Sequence, residues 1–181
     1  ISYSSSGMKI SITGMDDAPT LGSDFSIFYG SVQVLVQAAP GRGIVSAVVL
    51  LSDDGDEIDL EWIGGDPSHV QSNYFSRGDT STWDRGQIHS ANAVTTSFHT
   101  YTIDWKSSQI TWSVDGSVVR TLSAEKAQGF PSSPSQLKVG SWVAGNPSNP
   151  EGTIGWAGGL ADMSQAPFDF FVKGIYVQDY S

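Results

Sequence analysis

The sequence predicts an all-β fold, a two-sheet antiparallel sandwich, and composition supplies the first observation. Only 15% of the residues are charged, whereas 11% are aromatic and 20 residues are glycine. This composition is typical of short strands joined by many turns. The second observation is a period of two in apolar residues, and the third is a hairpin signal at Asp115-Gly116. A chain of 181 residues can bury one core, so we expect a single domain over residues 1–181.

Local sequence patterns predict the strands. Apolar residues alternate with polar ones at Met8 to Ile12, Val32 to Val36, Tyr101 to Trp105 and Ile110 to Val114. Ile44 to Leu51 is a continuous apolar run, Val118 to Leu122 follows the Asp-Gly turn, and a further strand is expected at Gln136 to Val143. An eighth is expected at Phe168 to Gln178. The continuous run at Ile44 to Leu51 predicts a central strand covered on both faces. We expect loops at Gly129 to Ser135 and Gly145 to Gly155, and the best helix candidate is Ser123 to Gln128.

Charge and cysteine content exclude several functions. The net charge is −10 and the chain has no cysteine. Nucleic acids and anionic membranes are bound mainly through clustered basic residues, which are absent. Neither a disulfide framework nor a thiolate metal site can form. The longest apolar run is too short to span a bilayer. A neutral partner fits this surface better, and we expect no nucleic-acid partner, no membrane insertion and no cofactor.

The segment Asp56-Glu57-Ile58-Asp59-Leu60-Glu61-Trp62 carries the most chemical information. Strand periodicity places Glu57, Asp59 and Glu61 on one face and the apolar residues on the other. Two glutamate side chains that lean together across four residues can bring their carboxyls to the roughly 5–5.5 Å of a retaining glycosidase. Asp59 between them helps to keep one glutamate ionised and the other protonated. The pattern therefore predicts double displacement at a sugar.

The alternative is an amphipathic strand whose solvated face happens to be acidic. Adjacent like charges repel, and strands disfavour Asp and Glu, so a surface without function gains nothing from this arrangement. Six tryptophans and the flexible pair Gly64-Gly65 also suit a site where sugar rings stack and the backbone approaches closely. Any one tryptophan is equally compatible with the core of a sandwich.

These residues resemble glycoside hydrolase family 16, whose signature Glu-x-Asp-x-Glu is matched by Glu57, Asp59 and Glu61. Flanking segments resemble the fungal cell-wall CRH subgroup, and they are Ser52-Asp53-Asp54, Ile63-Gly64-Gly65-Asp66, Gln71-Ser72-Asn73-Tyr74-Phe75, Gly78-Asp79-Thr80, Tyr101-Thr102-Ile103-Asp104-Trp105, Gly152-Thr153-Ile154 and Trp156-Ala157-Gly158-Gly159. The likeness extends from about Phe25 to Tyr180. Gly155 departs from it, since subgroup members commonly carry Glu there.

The resemblance implies a concanavalin-like β-jelly roll with a concave substrate cleft. It also implies a transglycosylase that opens chitin and passes the glycosyl-enzyme intermediate to a β-glucan acceptor. Glu57 would be the nucleophile, Asp59 the supporting acid and Glu61 the acid/base. Substrate contacts carried over from the subgroup are Asn73, Phe75, Lys138, Trp142, Thr153 and Trp156, with Trp142 as a stacking platform.

The resemblance further implies a secreted protein of the cell wall, and we expect a monomer. The N-terminal cysteine-bearing segment, signal peptide and lipid-anchor tail of the subgroup are not in this chain.

Two other functions are compatible with the sequence. One is an endo-β-1,3(4)-glucanase that uses the same carboxylates, and the other is a non-catalytic lectin-like module.

Several other polar residues have structural interpretations. We expect a hydrogen-bonded, partly buried His99, with support of the acidic site as the alternative. Asp53-Asp54-Gly55-Asp56 lacks the spacing of a calcium loop and predicts a turn. The residues Arg77, Asp79 and Arg85 predict a surface ion-pair set. No spacing of His and Asp predicts a metal site, so we expect no catalytic metal.

Overall fold

The computed structural model describes residues 1–180, in which thirteen strands form two antiparallel sheets. The first sheet has seven strands in the order β1-β2-β13-β4-β9-β10-β11: β1 (Ser2–Ser4), β2 (Gly7–Ile12), β4 (Gly30–Gln37), β9 (His99–Trp105), β10 (Gln109–Val114), β11 (Ser117–Ser123) and β13 (Phe168–Asp179). The second has six strands in the order β3-β12-β5-β6-β7-β8: β3 (Thr20–Ile27), β5 (Ile44–Ser52), β6 (Glu57–Ile63), β7 (His69–Phe75), β8 (Gln87–Ser90) and β12 (Ser135–Val143). The predicted jelly-roll sandwich is confirmed.

The core lies between the two sheets because each strand turns its apolar residues to the same side. Trp62 from the six-stranded sheet and Trp105 and Trp112 from the seven-stranded sheet are fully buried. The indole N–H of Trp112 donates to the backbone carbonyl of Asp59 at 3.0 Å, and that of Trp105 donates to Pro131 at 3.1 Å. Each buried polar group of these two rings is thus satisfied. Three of the six tryptophans are therefore core residues.

The hairpin predicted at Asp115-Gly116 joins β10 to β11. Both residues have positive φ, at 49° and 80°, as a two-residue type I′ turn requires. Val114 pairs with Ser117 across it. All eight of these predicted strands and the predicted acidic strand, β6, are present, and β1, β3, β7 and β8 are additional.

Three expectations about secondary structure were wrong. Ser123 is the last residue of β11 and residues 124–128 form turns and bends, whereas the one α-helix among residues 1–180, α1, spans Glu151–Trp156 and begins inside the segment expected to be a loop. Pro150 precedes its first residue, and the helix lasts less than two turns, so its sequence carries little periodic signal. Strand β5 is central, and Ile44 and Val45 at its start are buried on both faces, but from Ser46 onward its residues alternate between buried and half-buried. Its second face is the outer surface of the six-stranded sheet.

Candidate active site

The acidic strand β6 lies inside the six-stranded sheet, between β5 and β7. Ile58, Leu60 and Trp62 are buried in the core, so Glu57, Asp59 and Glu61 occupy the outer face. Asp59 in the middle is only 2% exposed, while the two glutamates are partly exposed. The three carboxyls therefore share one surface, as the alternation predicted.

Strand register fixes what surrounds each carboxyl. Asp59 is opposite Val49 and Asn73, and Val49 is opposite Lys138 on β12. A transverse row of side chains thus runs from Lys138 through Asp59 to Asn73. The row of Glu57 ends at Phe75 on β7.

The row of Glu61 is built from small residues on one side. Glu61 is opposite Ala47, which is opposite Gly140 on β12. On the other side Glu61 is opposite Gln71. The short side chain of Ala47 leaves the face immediately beside Glu61 low, whereas at Gly140 the space that a side chain would take is filled by Thr20, whose Oγ1 would lie 2.5 Å from a Cβ there.

The environment separates the protonation of the three carboxyls. Burial raises the pKa of Glu57, but a hydrogen bond with Asp59 and the positive charge of Lys138 oppose that rise. Burial and then the charges of Glu61 and Glu57 raise the pKa of Asp59 well above its usual range. Burial, followed by the charge of Glu57, raises the pKa of Glu61 to about 7. Of the three, Glu57 is best placed to carry the negative charge, and Asp59 and Glu61 keep protons near neutral pH.

This arrangement costs stability at neutral pH, which gives a first prediction. The carboxyl of Glu61 loses its proton near pH 4.5 when unfolded and near pH 7 when folded. The unfolded chain then binds fewer protons between these values, so the free energy of unfolding falls as pH rises through them. We expect Glu61→Gln to be more stable than the wild type by roughly 1–3 kcal/mol at pH 8 and nearly equal to it at pH 4. Urea unfolding at the two pH values measures this difference.

The exposed Glu125 provides the matched control, since Glu125→Gln should follow the wild type at both pH values. Equal stability of wild type and Glu61→Gln at pH 8 would contradict the burial of a proton-holding carboxyl at this position.

An aromatic pair stands beyond the Glu61 end of the strand. The rings of Trp142 on β12 and Trp156 on α1 are stacked, with centroids 6.2 Å apart and planes at 27°. The indole N–H of Trp156 donates to the Gln71 side chain at 2.9 Å, and Gln71 is the register neighbour of Glu61. Thr153 precedes Trp156 by three residues and so lies on the same side of α1. Both indoles are partly exposed.

A second aromatic pair lies at the Glu57 end. Trp83 is 76% exposed and meets the ring of Phe75 edge to face at a centroid distance of 5.8 Å. The guanidinium of Arg85 lies 5.6 Å from the Phe75 ring centroid and pairs with Asp79 at 2.7 Å. The face with the carboxyls is thus bounded by aromatic rings at both ends of β6.

The structure places the predicted site residues in three groups. Asn73, Phe75 and Lys138 lie in the rows of the acidic strand, Trp142 and Trp156 form one wall, and Thr153 lies beside that wall. Sequence reasoning missed Gln71 and Trp83. Gln71 lies within a segment quoted for the family resemblance, and an isolated tryptophan in a polar loop is a signal that could have indicated Trp83.

Asp56 is another residue whose role sequence reasoning missed. The turn predicted at Asp53 to Asp56 is present, but the last carboxyl is buried, 1% exposed. It accepts backbone N–H bonds from Arg77 at 2.8 Å and Ser132 at 2.7 Å. Asp56 therefore ties two loops to the beginning of β6, directly beside Glu57.

Three lesser predictions need correction or resolution. Gly64 approaches this chain's own backbone, since a Cβ there would lie 2.6 Å from the carbonyl oxygens of Ala39 and Gly41; the expected approach to a sugar is wrong. His99 is partly buried and pairs with Asp115 at 2.8 Å on the opposite sheet, which confirms the structural interpretation. In the ion-pair set, Asp79 and Arg85 are paired, whereas Arg77 makes no salt bridge within the described residues.

The described residues form neither a metal site nor a membrane-spanning helix. Within residues 1–180, no cluster of three or more His, Asp or Glu side chains is arranged to hold a metal ion. In the same part of the chain, no helix has the length and apolarity needed to cross a membrane.

Comparison with known proteins places this geometry in a family. The model of glycosyl hydrolases family 16 matches residues 1–158. The chain belongs to family 16. It is 49% identical over 176 residues to Crh-like protein 5 of Aspergillus fumigatus, covering 96% of this chain and 45% of that protein. It is 47% identical over 181 residues to Congo red hypersensitive protein 1 of Saccharomyces cerevisiae, covering 100% of this chain and 36% of that protein. The chain thus spans less than half the length of these curated relatives.

Solved structures agree with this placement in family 16. The Crh5 transglycosylase in complex with NAG superposes with a TM-score of 0.94 at 48% identity, covering 96% of this chain and 73% of that chain. A Bacillus licheniformis β-glucanase superposes with a TM-score of 0.75 at 25% identity, covering 90% of this chain and 71% of that one. The sandwich described above is therefore the family 16 fold, and the resemblance to the CRH subgroup is confirmed.

Proposed function

We propose that this chain is a single catalytic domain that opens chitin by retaining double displacement and transfers the glycosyl group to a β-glucan acceptor. The observation that carries the proposal is the acidic face of β6, where an ionised Glu57 and a protonated Glu61 flank a buried Asp59. The similarity to a transglycosylase whose structure holds NAG supports the choice of an aminosugar donor.

The proposed reaction assigns one role to each carboxyl. The carboxylate of Glu57 attacks the anomeric carbon, and the bond from that carbon to the bridging oxygen breaks as Glu61 gives the oxygen its proton. Asp59 donates a hydrogen bond to Glu57 and so fixes the orientation of the nucleophile. In the second step Glu61 accepts the proton of an acceptor hydroxyl, whose oxygen bonds to the anomeric carbon and releases Glu57. Both steps invert, so the configuration is retained.

The surrounding side chains would bind the polysaccharide. Flat C–H faces of sugar rings suit the indoles of Trp142 and Trp156, and Phe75 offers a similar ring at the other end of β6. Asn73 and Lys138 lie in the row of Asp59, where they can reach the hydroxyls of the reacting sugar, and Thr153 lies beside the tryptophan pair. We assign these six residues to substrate binding. No cofactor or metal enters the proposed chemistry.

Hydrolysis by the same residues is the second candidate, and the likeness to a bacterial β-glucanase favours it. The two activities differ only in whether water or a sugar hydroxyl reaches the glycosyl-enzyme first. A lectin-like module would have no use for a buried proton on Asp59, so we place it last. We further propose secretion, action at the cell wall and a monomeric state.

Mass spectrometry of the products tests the proposed function. The protein is mixed with chitin oligosaccharides and a fluorescently tagged laminarin oligosaccharide. Tagged hybrids that carry added N-acetylhexosamine mass are the expected result. Shortened oligosaccharides without hybrids would show that the protein hydrolyses chitin instead of transferring it. Unchanged sugars would show that it does neither with these substrates.

The pH dependence of the reaction gives a second prediction. Glu57 must be ionised and Glu61 protonated in the free enzyme, so kcat/KM should follow a bell-shaped curve. Its alkaline limb should fall with a midpoint near pH 7, where Glu61 loses its proton, and its acidic limb reports protonation of Glu57. Initial rates of transfer between pH 3 and pH 9 measure both limbs. An alkaline limb above pH 9 would contradict the assignment of Glu61 as the acid.

A further inference from the structure

A buried arginine lies beneath β7, the neighbour of the acidic strand, on the core side of the six-stranded sheet. Arg120 belongs to β11 of the opposite sheet and is 7% exposed. One terminal nitrogen of its guanidinium donates to the carbonyl and the hydroxyl of Ser72, both at 2.9 Å. The other donates to the carbonyl of Arg85 at 2.7 Å. One side chain therefore ties β11 to β7 and to the segment that leads into β8.

The guanidinium is held between two aromatic rings. Its central carbon lies 4.6 Å from the ring centroid of Trp112 and 5.4 Å from that of Tyr74. Trp112 in turn donates to the carbonyl of Asp59. Ser72 and Tyr74 flank Asn73, which pairs with Asp59. The contacts of Arg120 with Ser72, Tyr74 and Trp112 thus lead directly to the backbone that carries Asp59 and Asn73.

The positive charge of Arg120 has no local counter-ion. Among residues 1–180, no carboxylate lies within 4.0 Å of its guanidinium nitrogens, and its hydrogen bonds go to neutral oxygens. The titratable or charged groups that face it are Tyr74 on β7, Arg85 and His89 around β8, and Asp59 on β6. Carbonyl dipoles and the acidic face of β6 are what compensate this buried cation.

The neighbours of Arg120 are consistent with that compensation. The Nε2 atom of His89 lies 2.7 Å from the hydroxyl of Ser72, and burial together with the charge of Arg120 lowers the pKa of His89. A neutral His89 accepts the proton of the Ser72 hydroxyl while that oxygen accepts from Arg120. The guanidinium of Arg85 contacts the Asp79 carboxylate and the Phe75 ring. The carboxyl of β6 that interacts electrostatically with Arg120 is that of Asp59, which shares the charge of the acidic group with Glu57 and Glu61.

We infer that Arg120 is a positioning residue of the acidic site, which fixes β7 beside Asp59 and holds one negative charge on the Glu57, Asp59 and Glu61 group through its buried positive charge. The inference rests on the proposed function for its kinetic consequence only. The positions of the carboxyls and their titration follow from the fold whether or not chitin is the substrate.

Two substitutions separate the effect of the positive charge of Arg120 from the effect of its guanidinium hydrogen bonds. Arg120→Met removes both, and Arg120→Lys keeps the charge but cannot make three hydrogen bonds in a plane. Carboxyl ¹³C NMR titration of Glu57, Asp59 and Glu61 in the wild type and both variants needs no activity. In Arg120→Met the titrations should move to higher pH by roughly half a unit or more, because a nearby cation favours the charged form of a carboxyl. In Arg120→Lys they should stay near those of the wild type.

Kinetics provide the second reading. Both variants should lose about tenfold or more in kcat with little change in KM, because the buried side chain at position 120 does not touch the sugar. Only Arg120→Met should shift the acidic limb of the pH profile to higher pH. The exposed Arg42, whose guanidinium donates to Leu160, gives the control Arg42→Met, which should change neither. Circular dichroism and thermal melting establish the folded fraction of each variant.

Each result decides the inference. Unmoved carboxyl titrations in folded Arg120→Met would overturn the charge role, and a wild-type kcat in Arg120→Lys would overturn the positioning role. If Arg120→Met does not fold, Arg120→Lys still tests the positioning role. The variants Ser72→Ala and Ser72→Cys remove the hydroxyl that accepts from Arg120, and the loss in kcat again measures the effect. If the wild type transfers no glycan, the proposed function fails while the NMR titration still tests the charge role.

Discussion

Replacing Glu57 by Gln should lower the rate of glycosyl transfer by roughly 10⁴-fold or more while the protein stays folded. The amide has nearly the shape of the carboxyl, so the row from Leu51 through position 57 to Phe75 is kept. The variant loses the only carboxylate that forms an ester with the anomeric carbon in the proposed reaction. The loss should appear in kcat with donors of every length, since no remote contact replaces the missing bond.

Intact-protein mass spectrometry after rapid acid quenching tests this expectation directly. The wild type mixed with chitin oligosaccharide should show an added glycosyl mass, and Glu57→Gln should show none. Asp54→Asn is the matched control, because Asp54 is an exposed carboxyl in the turn before β6. Its variant should form the adduct and react at the wild-type rate. A Glu57→Gln enzyme that keeps more than a tenth of the activity would exclude Glu57 as the nucleophile.

The acidic strand could be predicted because its information is local. Alternation along Glu57 to Trp62 determines which side chains share a face, whatever lies on either side. The neighbours of that strand are set by register, which is non-local. Nothing in the spacing of Gln71 and Trp156 indicates that the indole N–H of the second donates to the first. The same holds for Lys138, whose effect on Glu57 is transmitted across the intervening strand β5.

The loops illustrate a second limit of sequence reasoning. Asp56 looks like one of several turn carboxylates, yet it is the buried one, with backbone N–H groups from two distant loops as donors. The short helix α1 has no buried residue, so it lacks the apolar stripe by which helices are predicted. The pair Gly64-Gly65 was interpreted as space for a sugar, but chain packing against Ala39 and Gly41 uses that space at Gly64. In each case a tertiary contact decides the role.

Replacing Glu61 by Ala should have an effect that depends on the leaving group. With chitin oligosaccharides the rate should fall by roughly 10²–10⁴-fold, because the departing sugar oxygen needs a proton and no other acid faces the bond. With a donor that carries a dinitrophenolate leaving group, the first step should fall less than about tenfold, since that anion leaves without protonation. The second step still lacks its base, so the glycosyl-enzyme should accumulate.

Sodium azide separates the two possible assignments of the glutamates. Azide needs no base, and the cavity left by Glu61→Ala lies beside the small side chain of Ala47, where a small anion should have access to the intermediate. Azide should therefore restore turnover of the activated donor and give the β-glycosyl azide, with retained configuration, because it attacks an ester already formed at Glu57. If Glu61 were the nucleophile, azide would attack the donor itself and give the α-glycosyl azide. The anomeric proton coupling in the product NMR spectrum distinguishes the two, and an α-azide from Glu61→Ala would reverse the roles of Glu57 and Glu61.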